Sequence, residues 1–381
     1  MDRLVLTLNA GSSSLKYALF AIGEDCASVA RGSVERKAGE NAAVLSSVQE
    51  RLQDQLGNHA WSDLAAVSHR IVHGGPRYFD PTLACAEILT ALTQLSYLDP
   101  EHLPAEIKLV EAAQAQFPGL PQVLCFDTAF HRNLPRVAQL LPLPRKYFDQ
   151  GVRRYGFHGL SCQYLMRELA RQEDRAAGHG RVILAHLGSG ASLTAVRDGH
   201  SIDTSMAFTP AAGLVMGTRT GDLDPGLVGY LARTEGMDAE RFERMVNHES
   251  GLLGVSGLSA DLRELAAAAP GHPEAAEAIE LFCAQVRKFI GAYAAALGGL
   301  DTVVFAGGIG EHAPAIRERI CAGLGFLGIT LDETANAANA ALISAPAGQV
   351  AVRVIPTDEE IVLARSALPF LARSPSSLPV P

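Results

Sequence analysis

The sequence predicts a mixed α/β protein. Short β-type runs alternate with long, alanine-rich amphipathic stretches, glycine-rich turns follow several of the apolar runs, and one strand-turn-strand pattern occurs twice, far apart. The chain has 381 residues, 48% hydrophobic and 19% charged, enough for one large or two medium domains with real cores.

Residues 4–8, 17–21, 66–72, 122–126, 182–186, 193–196, 302–305 and 350–355 are apolar, β-prone runs and read as strands. Apolar residues recur at helical spacing over 41–57, 101–116, 159–172, 225–236, 239–247, 259–268, 273–298, 314–323, 332–341 and 357–371, which read as helices. The Ser- and Pro-rich end, 374–379, reads as a frayed tail. The repeated pattern is VLTLNAGSSSL at 5–15 and ILAHLGSGASL at 183–193. Each is a strand, a small-residue turn and a returning strand, which suggests a duplicated domain with a nucleotide between the copies.

The formal net charge of -9 argues against nucleic acid or an anionic membrane as the main partner. It leaves room for an anionic small substrate, because a local arginine cluster can override the global sign. Residues 1–9 do not form a signal peptide, and the apolar stretches 289–300 and 303–306 are too short and glycine-interrupted to span a membrane. Cys26, Cys85, Cys125, Cys162, Cys283 and Cys321 form no CxxC pair. They read as buried free thiols in a reducing cytoplasm.

Several turns carry chemistry. Asn9 to Lys16 is a turn of small hydroxyl residues ending in a lysine, either a phosphate-binding nest or an ordinary hairpin turn. GxxxxGK[ST] is absent from the chain, and the glycine spacing at 307–312 does not fit GxGxxG, which disfavours a dinucleotide site there. Gly188 to Gly190 and the run GGIGEH at 307–312 are glycine loops after apolar strands, the second preceding a helix near Pro314. Either they present amides to an anion or they are tight turns. Arg70, before His73-Gly74-Gly75, and Arg219, in a glycine-flanked loop, suit an acid substrate and a transferring phosphoryl group, since guanidinium binds both bidentately. His158 lies between glycines before a helix, as a neutral donor or as a structural histidine. Asp127 ends a strand, where it positions magnesium or the attacking group, or caps the next helix. Asp358, Glu359 and Glu360 read first as a helix N-terminus and second as magnesium ligands.

In this order the motifs resemble the acetate kinase family, which also contains propionate and butyrate kinases. The resemblance runs from Val5 to about Arg365. It rests on LNAGSSSLKY at 8–17, HRIVHGG at 69–75, FDTAFH at 126–131, YGFHG at 155–159, HLGSGAS at 186–192, DTSMAFTPAAGLVMGTRTGDLDPG at 203–226 and GGIGEH at 307–312. It implies the fold of sugar kinases, actin and the heat-shock ATPases: two ribonuclease H-like domains around a nucleotide cleft. The first would hold residues 1–131 plus 361–381, and the second 132–360. It also implies a homodimer.

The resemblance further implies site roles. Asn9 and Glu359 match the metal positions, for magnesium or for manganese in its place. Lys16, His186, Leu187, Gly188, Ser189, Gly190, Asp261, Leu262, Arg263, Gly308, Ile309, Gly310, Glu311 and His312 match ATP-binding positions. Arg70 matches the substrate-carboxylate arginine, and Val72, Phe157 and Pro210 match the pocket for the acid's alkyl end. Asp127, His158 and Arg219 match the catalytic residues. The reaction implied is reversible phosphoryl transfer from ATP to acetate. Propionate or another short acid is the alternative, and a nucleotide-binding regulatory protein without transfer is the alternative of another class. A carboxylate acceptor is already a nucleophile, so alignment and charge neutralisation suffice.

Four positions depart from the family pattern. Ser189 and His312 stand where Asn is usual. Glu101 stands where a pocket-lining Leu is usual, and Leu103 where Asn is. A carboxylate buried unpaired beside an alkyl group is costly. Glu101 is therefore expected at a solvent-facing helix start, with Leu103 supplying the apolar wall.

Overall fold

A computed structural model describes residues 3–11, 14–23, 26–35, 41–56, 59–172 and 180–371. Ser12 and Ser13 of the first glycine-serine turn, Gly57 and the 374–379 tail lie outside the described residues. The chain divides into two compact units, Met1–Arg132 with Asp358–Pro381, and Asn133–Thr357. The return to the first unit comes at Asp358, where the sequence reading set it at 361.

The first unit is built on β1 (Leu4–Ala10), β2 (Ser14–Ala21), β3 (Ala27–Glu35), β4 (Leu64–Ile71), β5 (Thr82–Leu83) and β6 (Gln122–Phe126), in the order β3-β2-β1-β4-β6-β5. β1 to β3 form an antiparallel meander, β1, β4 and β6 run parallel, and β5 pairs antiparallel with β6. Every residue of β1 is buried, as its near-continuous apolar sequence requires of a central strand. The helix Glu359–Leu371 packs on β1 and β4, which brings its acidic first turn to the end of β1.

The second unit repeats the plan. β7 (Arg181–Leu187), β8 (Ala191–Arg197), β9 (His200–Thr204), β10 (Thr302–Ala306) and β11 (Ala351–Val354) lie in the order β11-β10-β7-β8-β9. β7, β8 and β9 form the meander, and β7, β10 and β11 run parallel. The two echoing hairpins, β1–β2 and β7–β8, hold corresponding places in their sheets. The 25-residue helix Pro273–Leu297 packs on β8 and β7. Proline begins it, and Gly298 ends it at φ 70, the left-handed cap that glycine adopts without strain. Its buried residues Ala275, Ala278, Ile279, Phe282, Val286, Ile290, Tyr293 and Leu297 follow helical spacing.

Two expectations are corrected. GGIGEH is not a loop before a helix: Gly307–His312 is helical from its first glycine and passes through Ala313 into Pro314–Cys321. Gly307 turns the chain straight off β10 at φ 75, where an added Cβ would lie 2.7 Å from the Leu187 carbonyl oxygen. Cys85 is exposed, whereas the other five cysteines are buried and all six are free.

Candidate functional site

The residues singled out from the sequence fall into two sets, one in each unit. In the first unit, Asn9, next to last in β1, pairs with Lys16 on β2. Its Nδ2 donates to Glu359 Oε2 at 2.8 Å and to Glu360 Oε1 at 3.1 Å. Arg70, near the end of β4, donates from Nη2 to Asp127 Oδ2 at 2.8 Å and from Nη1 to the Ala10 carbonyl at 3.1 Å. Asp127 is fully buried, and its backbone N–H donates to the Ile71 carbonyl, so β4 and β6 fix both partners. The guanidinium therefore faces the end of the sheet with one carboxylate already in contact. Val72, two residues on, is buried.

Burial, then the charge of Asp127, raises the Glu359 carboxyl above its usual range, against the lowering pull of Arg70, Asn9 and Lys16. Glu360 is raised by burial and by Glu359. Two crowded carboxylates and an amide form an oxygen-donor set of the hard kind that suits magnesium, and a cation there would relieve their mutual repulsion. Among the described residues no group of three or more His, Cys, Asp or Glu could hold a metal on its own. Water and nucleotide phosphate would have to complete the shell, as is usual for magnesium.

In the second unit, His158 sits at φ 57, just before the helix Gly159–Gln172. Its Nδ1 is 2.9 Å from Ser192 Oγ, and its ring stacks on His186 at 4.2 Å between centroids. His186 Nδ1 is 2.8 Å from Ser161 Oγ, which is 2.9 Å from Thr357 Oγ1. The turn between β7 and β8 is closed by Gly188 N–H donating to the Gly190 carbonyl at 3.0 Å. A Cβ added to Gly190 would lie 3.5 Å from His158 Nε2 and 3.7 Å from Arg219 Nη1. Imidazole and guanidinium thus converge on one glycine of this turn. Arg219 Nη1 is 3.5 Å from the Pro210 carbonyl, and Phe157 is buried beside His158.

Gly217 N–H donates to the Ser189 carbonyl at 3.1 Å, and a Cβ on Gly217 would lie 3.3 Å from the Ala260 carbonyl. The turn is thereby joined to the segment before Leu262–Ala268, which Asp261 caps by accepting from Arg263 N–H. Leu262 is buried and Arg263 exposed. Gly308 and His312 are exposed, Ile309 is half-buried and Gly310 buried. The Glu311 carboxylate turns inward, accepting from Gly307 N–H at 2.9 Å and Thr357 N–H at 3.1 Å. The fully buried Arg317 guanidinium donates to the Gly310 and Glu311 carbonyls and so braces this segment.

Glu101 is exposed, with His102 Nε2 4.0 Å from its carboxylate, and Leu103 is fully buried at the start of the helix Leu103–Gln116. One group escaped the sequence reading of the site. Glu360 fell within the acidic run read second as magnesium ligands, although no metal position was matched to it. Glu106 was not singled out, yet its place in the apolar row Leu103, Glu106, Ile107, Val110 signalled a buried carboxylate.

The chain matches the Acetokinase family over residues 37–365. It is 43% identical over 401 residues to a Methylocella silvestris acetate kinase, covering 97% of this chain and 98% of that protein. It is 44% identical over 390 residues to one from Rhodopseudomonas palustris, covering 96% and 98%. The Porphyromonas gingivalis acetate kinase structure matches with a TM-score of 0.87 and 34% identity, over 97% of this chain and all of that one. A propionate kinase from Francisella tularensis matches with a TM-score of 0.89 and 36% identity, over 96% and 98%.

Proposed function

This chain belongs to the acetokinase family, and from that membership we infer that it catalyses reversible phosphoryl transfer from ATP to acetate, giving acetyl phosphate and ADP. The observation that carries the reading is the approach of His158 Nε2 and Arg219 Nη1 to Gly190 in the β7–β8 turn. Transfer to a carboxylate needs no general base. It needs donors aimed at the equatorial oxygens of the moving phosphoryl group, and an imidazole and a guanidinium converging on a backbone turn fit that need.

The roles follow. Arg70 takes the acid's carboxylate, with Asp127 holding its guanidinium in place, and Val72, Phe157 and Pro210 line the alkyl end. His158 and Arg219 stabilise the transferring group. Lys16, the turn 186–190, the segment 261–263 and residues 308–312 bind ATP, with Ser189 leaving room for a bridging water. Asn9 and Glu359, joined by Glu360, hold magnesium or manganese through oxygen. When bound, that ion would neutralise phosphate charge.

The chain is read as a cytoplasmic enzyme, in keeping with its six free cysteines. It is read as a homodimer, because the helix Gly226–Glu235 buries none of its residues and exposes Leu227, Val228 and Tyr230, with Leu223 just before it. Propionate is the second reading, favoured by the match to a propionate kinase structure. One methylene is worth only about 1–3 kcal/mol of discrimination. Running the reaction backwards decides between them: ATP formed from ADP with acetyl phosphate is compared with ATP formed with propionyl phosphate. A higher kcat/KM for the propionyl compound would overturn the choice of acetate.

A further inference from the structure

Glu106 lies on the helix Leu103–Gln116, immediately behind the arginine that this reading assigns to the acid. Its side chain is 2% exposed. Oε2 accepts from the Val72 N–H at 2.8 Å. Oε1 stands 3.6 Å from Arg70 Nη1 and has no hydrogen-bond partner. Arg70 is thus flanked by two carboxylates, Asp127 in direct contact and Glu106 just beyond hydrogen-bond range.

We propose that Glu106 is a positioning residue for the acid substrate, holding the Arg70–Val72 corner and setting by its own charge how strongly Arg70 attracts a second carboxylate. The proposal rests on the carboxylate-kinase reading above. An ionised Glu106 cancels part of the guanidinium's charge and repels an incoming acid. A protonated Glu106 does neither, while its Oε2 still accepts from Val72.

The surroundings leave the proton's place open to pH. From β4, Arg70 favours the anion. From the turn before the helix, His102 favours it and Asp99 opposes it. Asp127 and Glu359 act on Arg70 from its other sides. Burial outweighs the favourable charges and pushes the Glu106 carboxyl up to about 7. His102 works against its own burial but is raised by the hydrogen bond and charge of Asp99, with Glu101 and Glu106 adding to it. Acetate stays ionised throughout this range, so its own titration does not enter.

Like charges roughly 8 Å apart, with an effective dielectric of about 20–40, repel enough to weaken binding about 5- to 30-fold. Because a carboxyl at about 7 passes only from mostly protonated to mostly ionised between pH 6 and 8, the acetate KM should rise about 3- to 8-fold over that range, with a much smaller change in kcat. In E106Q it should stay low and nearly flat. E106A, which also strips the acceptor from Val72, should show a higher KM than E106Q at every pH. A parallel KM–pH profile in wild type and E106Q would overturn the proposal. If E106Q does not fold, a flat wild-type KM from pH 6 to 8 overturns it equally. Glutamate carboxyl 13C NMR gives a readout independent of turnover. A resonance titrating between pH 6 and 8 in wild type and missing from E106Q supports the proposal, and no such resonance overturns it. A chain that makes no acyl phosphate would defeat the kinase reading instead. Calorimetric acetate affinity across the same pH range would then decide for Glu106.

Discussion

Asn9 donates from Nδ2 to Glu359 Oε2 at 2.8 Å, joining the end of the first strand to the first turn of the last helix across 350 residues of sequence. The bond brings an amide oxygen and two raised carboxyls, Glu359 and Glu360, to one place. Asn9→Ala and Glu359→Ala should therefore each shift the magnesium midpoint for activity upward. A magnesium titration in which both variants keep the wild-type midpoint would contradict the assignment.

On the proposed roles, His158→Ala and Arg219→Ala should lower kcat by roughly 10²–10³-fold each, with smaller changes in acid KM, because groups aimed at charge that develops during transfer act mainly on kcat. Steady-state kinetics on folded variants check this. An unchanged kcat for Arg219→Ala would remove it from the transfer step.

Arg70→Ala should raise the acid KM strongly. It should also destabilise the protein by about 3–5 kcal/mol, since it leaves the fully buried Asp127 without its cation. Urea unfolding at pH 7 measures the second effect. A loss confined to KM would show that Asp127 is satisfied without Arg70.

Glu101→Leu should change the acetate-to-propionate preference less than about twofold, because the Glu101 side chain is exposed at a helix start. Leu103→Ala should cost about 2–5 kcal/mol of stability, as for other fully buried leucines, and should weaken propionate more than acetate. Acid-panel kinetics on both variants test this. A large gain in acetate use by Glu101→Leu would place that residue in the pocket.

Stability should depend on pH through Glu106. Its carboxyl rises from 4.5 to about 7 on folding, so the folded state holds the proton more tightly than the unfolded one. The stabilisation is full below about 4.5, is lost as pH rises towards 7, and is absent above it. E106Q escapes that loss. Its melting temperature should gain on wild type between pH 5 and 8, by an amount equivalent to up to about 3 kcal/mol. Thermal melts across that range check the sign. A constant difference would show that Glu106 ionises normally.

Much of this architecture was legible because central strands are apolar without interruption. β1, β7 and β10 stand out as such runs, and the echo of 5–15 in 183–193 pointed to the duplication that the two sheets display. β3 and β9 were not found. They are edge strands, and β3 exposes most of its residues, so no apolar run marks it. Gly307–His312 was read as a loop because three glycines conceal a helical turn. Arg70, Asp127, His158 and Arg219 are singled out in the sequence by the glycines and strand ends around them. Glu106 was harder, because what makes it consequential is Arg70, 36 residues earlier in sequence and brought beside it only by packing of the helix on the sheet.

Membership of the acetokinase family means transfer to a short-chain carboxylate. Purified protein incubated with ATP, magnesium and acids of two to five carbons, with acyl phosphate trapped as hydroxamate, tests it most directly. Product should form that requires both ATP and magnesium, with acetate or propionate the best acid. No product above the enzyme-free control with any acid would contradict it and favour a nucleotide-binding protein that does not transfer.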